Sequence, residues 1–185
     1  MKSLINQHSQ KLHLGCFQKK IHGFINVDVR SDVNPDVVDD AFTLKKFKNN
    51  STDIILAVHI LEHLDRKSVK FALARWIGVL KNKGQVFISV PDMQAVCEHY
   101  IYHKDLKILQ AFLGGSQNHP FDCHLSHFDF KTLKELLEDV GFKDIKPYDR
   151  WKTNWAYVDD YSAAYLPHKD FKNGRIMSLN ITATK

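Results

Sequence analysis

Asp53-Ile54-Ile55-Leu56-Ala57-Val58 runs without a break into His59-Ile60-Leu61-Glu62-His63-Leu64, and the fold is read from this junction. The first six residues form a continuous apolar run of strand length, as expected of a central strand buried on both faces of a sheet. The next segment is helical. Val69, Ala72, Leu73, Trp76, Ile77 and Leu80 recur at i, i+3, i+4, i+7, i+8 and i+11 and make one apolar stripe, with Asp65 as its cap and Lys81, Lys83 and Gly84 as its end. Residues 85–90 then read as another strand, closed by Pro91-Asp92.

Working outward, Lys11-Leu12-His13-Leu14 before Gly15, residues 24–29, and Val37-Val38 before Asp39-Asp40 are three more short strands. Leu133, Leu136, Leu137 and Val140 mark a second helix, capped by Asp129 and stopped by Gly141. Near the end Met177, Leu179, Ile181 and Ala183 alternate with Ser178, Asn180 and Thr182, which predicts a half-buried strand paired antiparallel to residues 142–145. Strands alternating with helices predict a three-layer α/β sandwich, mostly parallel, with an antiparallel C-terminal strand. With no repeat and no linker, residues 1–185 read as one domain.

Composition narrows the class. No apolar run approaches the roughly 18 residues needed to span a bilayer, and residues 1–8 have no run of the signal-peptide kind, so a cytoplasmic protein is expected. Cys16, Cys97 and Cys123 are odd in number and form no CxxC pair, which fits reduced thiols. The net charge of +5 comes from small lysine groups interleaved with acids, a pattern of solvated surface and a weak pointer to nucleic acid.

In an open α/β sheet, ligands sit at the carboxyl ends of the strands where strand order reverses. The residues in that position are Gly15, Asp28, Asp40, His59 with Glu62 and His63, and Asp92. Glycine lets the backbone approach a ligand closely, and an acid closing the second strand can accept both hydroxyls of a ribose.

Five fragments, in this order, resemble one family. They are residues 12–16 (Leu-His-Leu-Gly-Cys), 23–28 (Gly-Phe-Ile-Asn-Val-Asp), 36–40 (Asp-Val-Val-Asp-Asp), 53–55 with 59–64, and 79–84 with Val90-Pro91-Asp92. Together they are similar to small class I S-adenosylmethionine-dependent methyltransferases, in particular to a subgroup linked to sugar or polysaccharide modification. The resemblance implies a Rossmann-like fold, S-adenosylmethionine as cofactor and a small-molecule substrate. By it, Gly15 and Cys16 approach the methionine part of the cofactor, Asp28 holds the ribose, Asp40 and Ala41 meet the adenine edge, and His59 lies under the sulfonium. Glu62, His63 and His168 fall on the substrate side, and His124, His127 and Asp92 are the candidate bases. No metal is implied.

The chain departs from the pattern in two places. Gly15-Cys16-Phe17 stands where Gly-Cys-Gly is usual, and Phe17 supports a second reading, a non-catalytic module that keeps the fold. Residues 15–23 are also fewer than the roughly 10–12 of a helical crossover, so a loop must replace the first helix. A third reading takes His59-Ile60-Leu61-Glu62-His63 as the H-x-x-E-H of inverted zinc proteases, which requires the motif inside a helix. Cys123, His124 and His127 with His119 offer four metal ligands in a histidine-rich segment, read preferentially as a lid with Gly114 and Gly115 as its hinge. The lid and substrate segments span about residues 93–128 and 148–174, the second rich in Trp and Tyr. Nucleic acid is not the expected partner, since no Asn-Pro-Pro-Tyr-type motif is present, and the sequence carries no signal for an oligomer.

Overall fold

The computed structural model describes residues 9–185; residues 1–8, where no signal-peptide run is expected, lie outside them. In chain order the elements are β1 (Lys11–Leu14), β2 (Ile25–Asp28), β3 (Val37–Val38), β4 (Thr52–Val58), α1 (Arg66–Val79), β5 (Leu80–Pro91), α2 (Met93–His103), the single turn α3 (Gln110–Gly114), α4 (Phe130–Asp139) and β6 (Lys143–Pro147). A two-stranded hairpin, β7 (Tyr165–Leu166) and β8 (Arg175–Ile176), precedes β9 (Ser178–Thr184). One sheet of seven strands has the order β3-β2-β1-β4-β5-β9-β6. Strands β1 to β5 pair in parallel, while β9 pairs antiparallel with both β5 and β6. Strand order therefore reverses between β1 and β4.

One face of the sheet is a helix-covered core. Val69, Leu73 and Trp76 of α1 and Leu133 and Leu137 of α4 bury against Leu12, Leu14, Ile55, Ala57 and Ile88. Trp76 is fully buried, and its indole N–H donates to the Ala41 carbonyl at 2.7 Å. Both helices start where the sequence placed their caps. Asp65 accepts from the backbone N–H groups of Lys67 and Ser68, and Asp129 forms a reciprocal capping box with Thr132.

The other face is covered differently. Ile21, Leu56, Val58, Trp155 and Val158 form its core, with Phe24 and Phe87 packed beside them and Trp155 edge-on to both rings. The cover comes from the short link after β1 and from residues 148–166, where a helix was not available. Asn26 staples the link: its Oδ1 accepts the Ile21 N–H at 2.8 Å, and its Nδ2 donates to the carbonyls of Ile21 and Phe24. Arg150 does the same for the later segment. It is buried, donates to Ser162 Oγ and to the carbonyls of Ala156 and Val158, and pairs with Asp160 at 3.3 Å.

Three expectations need correction. Helix α1 ends at Val79, not near Gly84; Leu80 is already extended and pairs with Thr52, so its burial is satisfied from the strand. Gly84 is required for a different reason, since a Cβ there would lie 2.8 Å from the Lys81 carbonyl oxygen. Strand β9 is buried on both faces, because it lies between β5 and β6. Its polar side chains are absorbed by hydrogen bonds, Thr182 Oγ1 to the Val86 carbonyl and Asn180 Oδ1 from Ser89 Oγ. Within residues 93–128, α2 escaped the sequence reading because Ala95 and Val96 are all it buries.

Candidate active site

At the carboxyl end of β4, His59 takes a left-handed backbone (φ +49°), and its N–H donates to the Ser89 carbonyl of β5. Histidine tolerates this region better than most residues. The chain turns there into one 3-10 turn, Leu61–His63, rather than continuing as a helix. The helical geometry of an inverted zinc protease is therefore not formed. The turn instead brings Glu62, which is fully buried, against three histidines.

His59 Nδ1 lies 3.1 Å from Glu62 Oε1, and His59 Nε2 is 2.9 Å from Ser178 Oγ. His124 Nε2 is 3.9 Å from the same carboxylate oxygen, and the rings of His63 and His124 meet edge to face at 5.0 Å. The His59 contact is one of charge and proximity, because neither Glu62 oxygen has an aligned hydrogen-bond donor among the described residues. Burial pushes the Glu62 carboxyl up, but His59 and His63 together pull it below its ordinary value. Burial likewise lowers His124, against the pull of Glu62, which keeps its imidazole neutral near pH 7.

Hydrogen bonds hold the histidine-rich segment onto this turn. The N–H groups of Leu125 and Ser126 donate to the Glu62 carbonyl at 2.8 and 3.1 Å, and Ser126 Oγ donates to the Leu64 carbonyl at 2.6 Å. Gly115 (φ +73°) bridges Cys123 and closes the loop between them; a Cβ there would lie 1.7 Å from the Asp122 carbonyl oxygen. Gly115 is thus a clasp in a tight loop.

The ends of β1 and β2 build the neighbouring part of the site. Gly15 is left-handed (φ +62°), and a Cβ on it would collide with Ile60 Cδ1 at 2.2 Å, so this glycine seats the turn after β4. Cys16 is buried, and burial together with Asp28 pushes its thiol up to about 12. Phe17 adopts φ +42°, the conformation that a second glycine would take freely. Its N–H donates to Asp28 Oδ2 at 2.8 Å, and the Arg30 N–H donates to Asp28 Oδ1 at 2.9 Å. Asp40 accepts the Phe42 N–H, and the Ala41 side chain belongs to the helix-covered core.

The other candidates stand apart from this cluster. Asp92 caps α2 by accepting the Gln94 N–H, and burial raises its carboxyl above the ordinary value. His127 is exposed, as is His168 in the turn of the β7–β8 hairpin. Sequence reasoning missed Ser178 as a contact of His59, while Tyr161, whose ring lies 5.7 Å from it, comes from the aromatic-rich segment read as a substrate wall. The only sequence signal for Ser178 was its place in the polar row of the last strand.

The sheet is Rossmann-like, with polar residues gathered at the β1–β4 switch point where such folds bind ligands, and the chain matches a known family. The match is to a family model described as "Methyltransferase domain", over residues 12–146, and the chain belongs to that family. Among solved structures the fold is similar to a SAM-dependent methyltransferase of Archaeoglobus fulgidus (19% identity, TM-score 0.60, 96% of this chain and 86% of that one). It is also similar to one of Methanosarcina mazei (19% identity, TM-score 0.58, 98% and 94%). A third is a putative methyltransferase of Haloferax volcanii in complex with the Trm112 activator (11% identity, TM-score 0.57, 95% and 82%). No curated protein matches the chain.

The methyl donor is S-adenosylmethionine, and the chain's residues fit it. Each Asp28 oxygen accepts one backbone N–H and keeps a lone pair for a hydroxyl. No helix of the described residues is long and apolar enough to cross a membrane.

Proposed function

We propose that the chain methylates a small-molecule acceptor, with a sugar or polysaccharide precursor as the leading class, at the carboxyl ends of β1, β2 and β4. The observation that carries this reading is the His59–Glu62–His63–His124 cluster beside the Asp28 turn. Asp28 holds the ribose; Gly15, Cys16, Asp40 and Ala41 line the donor's path; His59 stands beside the reacting centre. Bound there, the donor supplies a methyl group on a cationic sulfur that leaves as a neutral thioether.

The chain's own task is alignment and removal of the acceptor's proton. Holding the nucleophile on axis contributes about 7–11 kcal/mol and a positioned base a further ~10²–10⁴-fold. Among His124, His127 and Asp92, His124 fits the base best. Its Nδ1 donates to the Phe112 carbonyl at 3.0 Å, which leaves Nε2 with the lone pair, and its lowered affinity for protons keeps that lone pair available. Glu62 and His63 face the acceptor in this reading, His168 stands apart from it on the exposed hairpin turn, and residues 93–128 and 148–174 cover it. The non-catalytic alternative rests on Phe17, and its left-handed backbone weakens that support.

Release of S-adenosylhomocysteine, measured across a panel of sugars, nucleotide sugars and other small hydroxyl and amine acceptors, tests the proposal. Turnover with at least one acceptor, reduced at least ~10²-fold in His124→Ala, is expected. Binding of donor without turnover on any acceptor would move the non-catalytic reading ahead.

A further inference from the structure

Glu62 is buried, yet both of its carboxylate oxygens lack an aligned donor among the described residues. A buried carboxylate in that state is costly unless a cation meets it. Two imidazoles stand ready beside it. A backbone carbonyl only accepts, so His63 Nδ1, 3.1 Å from the Cys123 carbonyl, carries the hydrogen, as does His124 Nδ1 against the Phe112 carbonyl. In both neutral rings Nε2 is then the lone-pair nitrogen. A ring N–H fixed on a backbone carbonyl is the outer-shell arrangement that orients metal-ligating histidines. One ligand atom from each of Glu62, His63 and His124 lies within 4.8 Å of the others.

We propose that Glu62, His63 and His124 bind a divalent transition cation, with coordination positions left open for an oxygen of the methyl acceptor. Two imidazoles and one carboxylate suit Zn²⁺, Fe²⁺ or Mn²⁺. The two ligand-bearing segments are already joined by the bonds from Leu125 and Ser126 to the Glu62 carbonyl, so closing on the ion needs side-chain shifts of only about 1 Å for Zn–N near 2.0–2.1 Å. His59 Nδ1 then orients the carboxylate. The site stands on these side chains alone; its role toward the acceptor rests on the methyltransferase reading. With the ion bound, His124 gives its lone pair to the metal and not to a proton. An acceptor hydroxyl on the ion loses its proton to solvent, and its oxygen forms the bond to the methyl carbon as the carbon–sulfur bond breaks, the electron pair going to sulfur.

The test is calorimetric titration of the chelator-treated full chain with Zn²⁺ and with Mn²⁺, alongside S-adenosylmethionine. His63→Ala and His124→Ala, checked for folding by circular dichroism, are compared with the double variant His99→Ala/His103→Ala. That pair, with rings 4.2 Å apart on α2, is the rival surface site. One equivalent of cation is expected, weakened at least about 100-fold in each single variant and unchanged in the double one. No binding, binding indifferent to His63 and His124, or binding lost with His99 and His103 would overturn the site. If the single variants misfold, imidazole ¹⁵N spectra of the unaltered chain decide: the His63 and His124 signals must move with Zn²⁺, and unmoved signals overturn the proposal. Donor binding without cation binding removes the metal site and leaves the methyltransferase reading standing; cation binding without donor binding does the reverse.

Discussion

On one face of the sheet, Leu73 and Trp76 of α1 and Leu133 and Leu137 of α4 cover the strands with periodic apolar stripes. On the other, Trp155, Val158 and Ile21 do the covering from irregular backbone, held in place by Asn26 and Arg150. The first face distributes its stability over many interchangeable contacts. The second concentrates it in a few polar side chains whose loss leaves donors and acceptors stranded in the interior. The active-site cluster is built in this second manner, with Glu62, His59 and Ser178 fixing one another.

The largest expected effect is on the helix-covered face. Trp76→Ala removes a fully buried indole and its hydrogen bond, and should cost about 3–5 kcal/mol in chemical denaturation. On the opposite face, Arg150→Ala leaves Asp160 buried without its partner and should cost about 3 kcal/mol. Its loss of hydrogen-exchange protection should be confined to residues 148–166 and the link after β1. Loss spread evenly over α1 and α4 would break the distinction between the faces.

Acid should act on the second face too. His13 is buried beside Asn26, and burial lowers its pKa below the ordinary 6.5. The unfolded chain takes up that proton near pH 6.5 while the fold resists it, so the unfolded state binds more protons and stability falls as pH drops below about 6.5. The slope from this one residue reaches at most about 1.4 kcal/mol per pH unit, and His124 adds in the same direction. His13→Gln should flatten the acid limb; an unchanged slope would assign it to other groups. The smallest effect belongs to Asp129→Ala, which removes the α4 capping box and should cost about 1 kcal/mol, with Asp129→Asn recovering most of it.

What could be read from the sequence divides along the same line. The run at residues 53–58, the stripe from Val69 to Trp76, the caps Asp65 and Asp129 and the antiparallel last strand are periodic or local signals, and all are found in the structure. Strand-end logic also picked out Glu62 and His63, and the histidine-rich segment offered His124; the fold brings the three together. The polar staples could not be read, because the roles of Asn26, Arg150 and Ser178 exist only once distant segments meet. The same is true of the end of α1. Leu80 is buried whether it continues the helix or opens β5, so apolar spacing alone could not place the boundary.

The most direct test of the account is calorimetric binding of S-adenosylmethionine and S-adenosylhomocysteine to the intact chain and to Asp28→Asn. That variant keeps one acceptor oxygen for the turn and removes the charge. The account predicts saturable binding of both ligands to the intact chain, weakened at least about tenfold in the variant, with its melting temperature little changed. Absence of binding to the intact chain, or equal affinity in the variant, would contradict the assignment of the cofactor site.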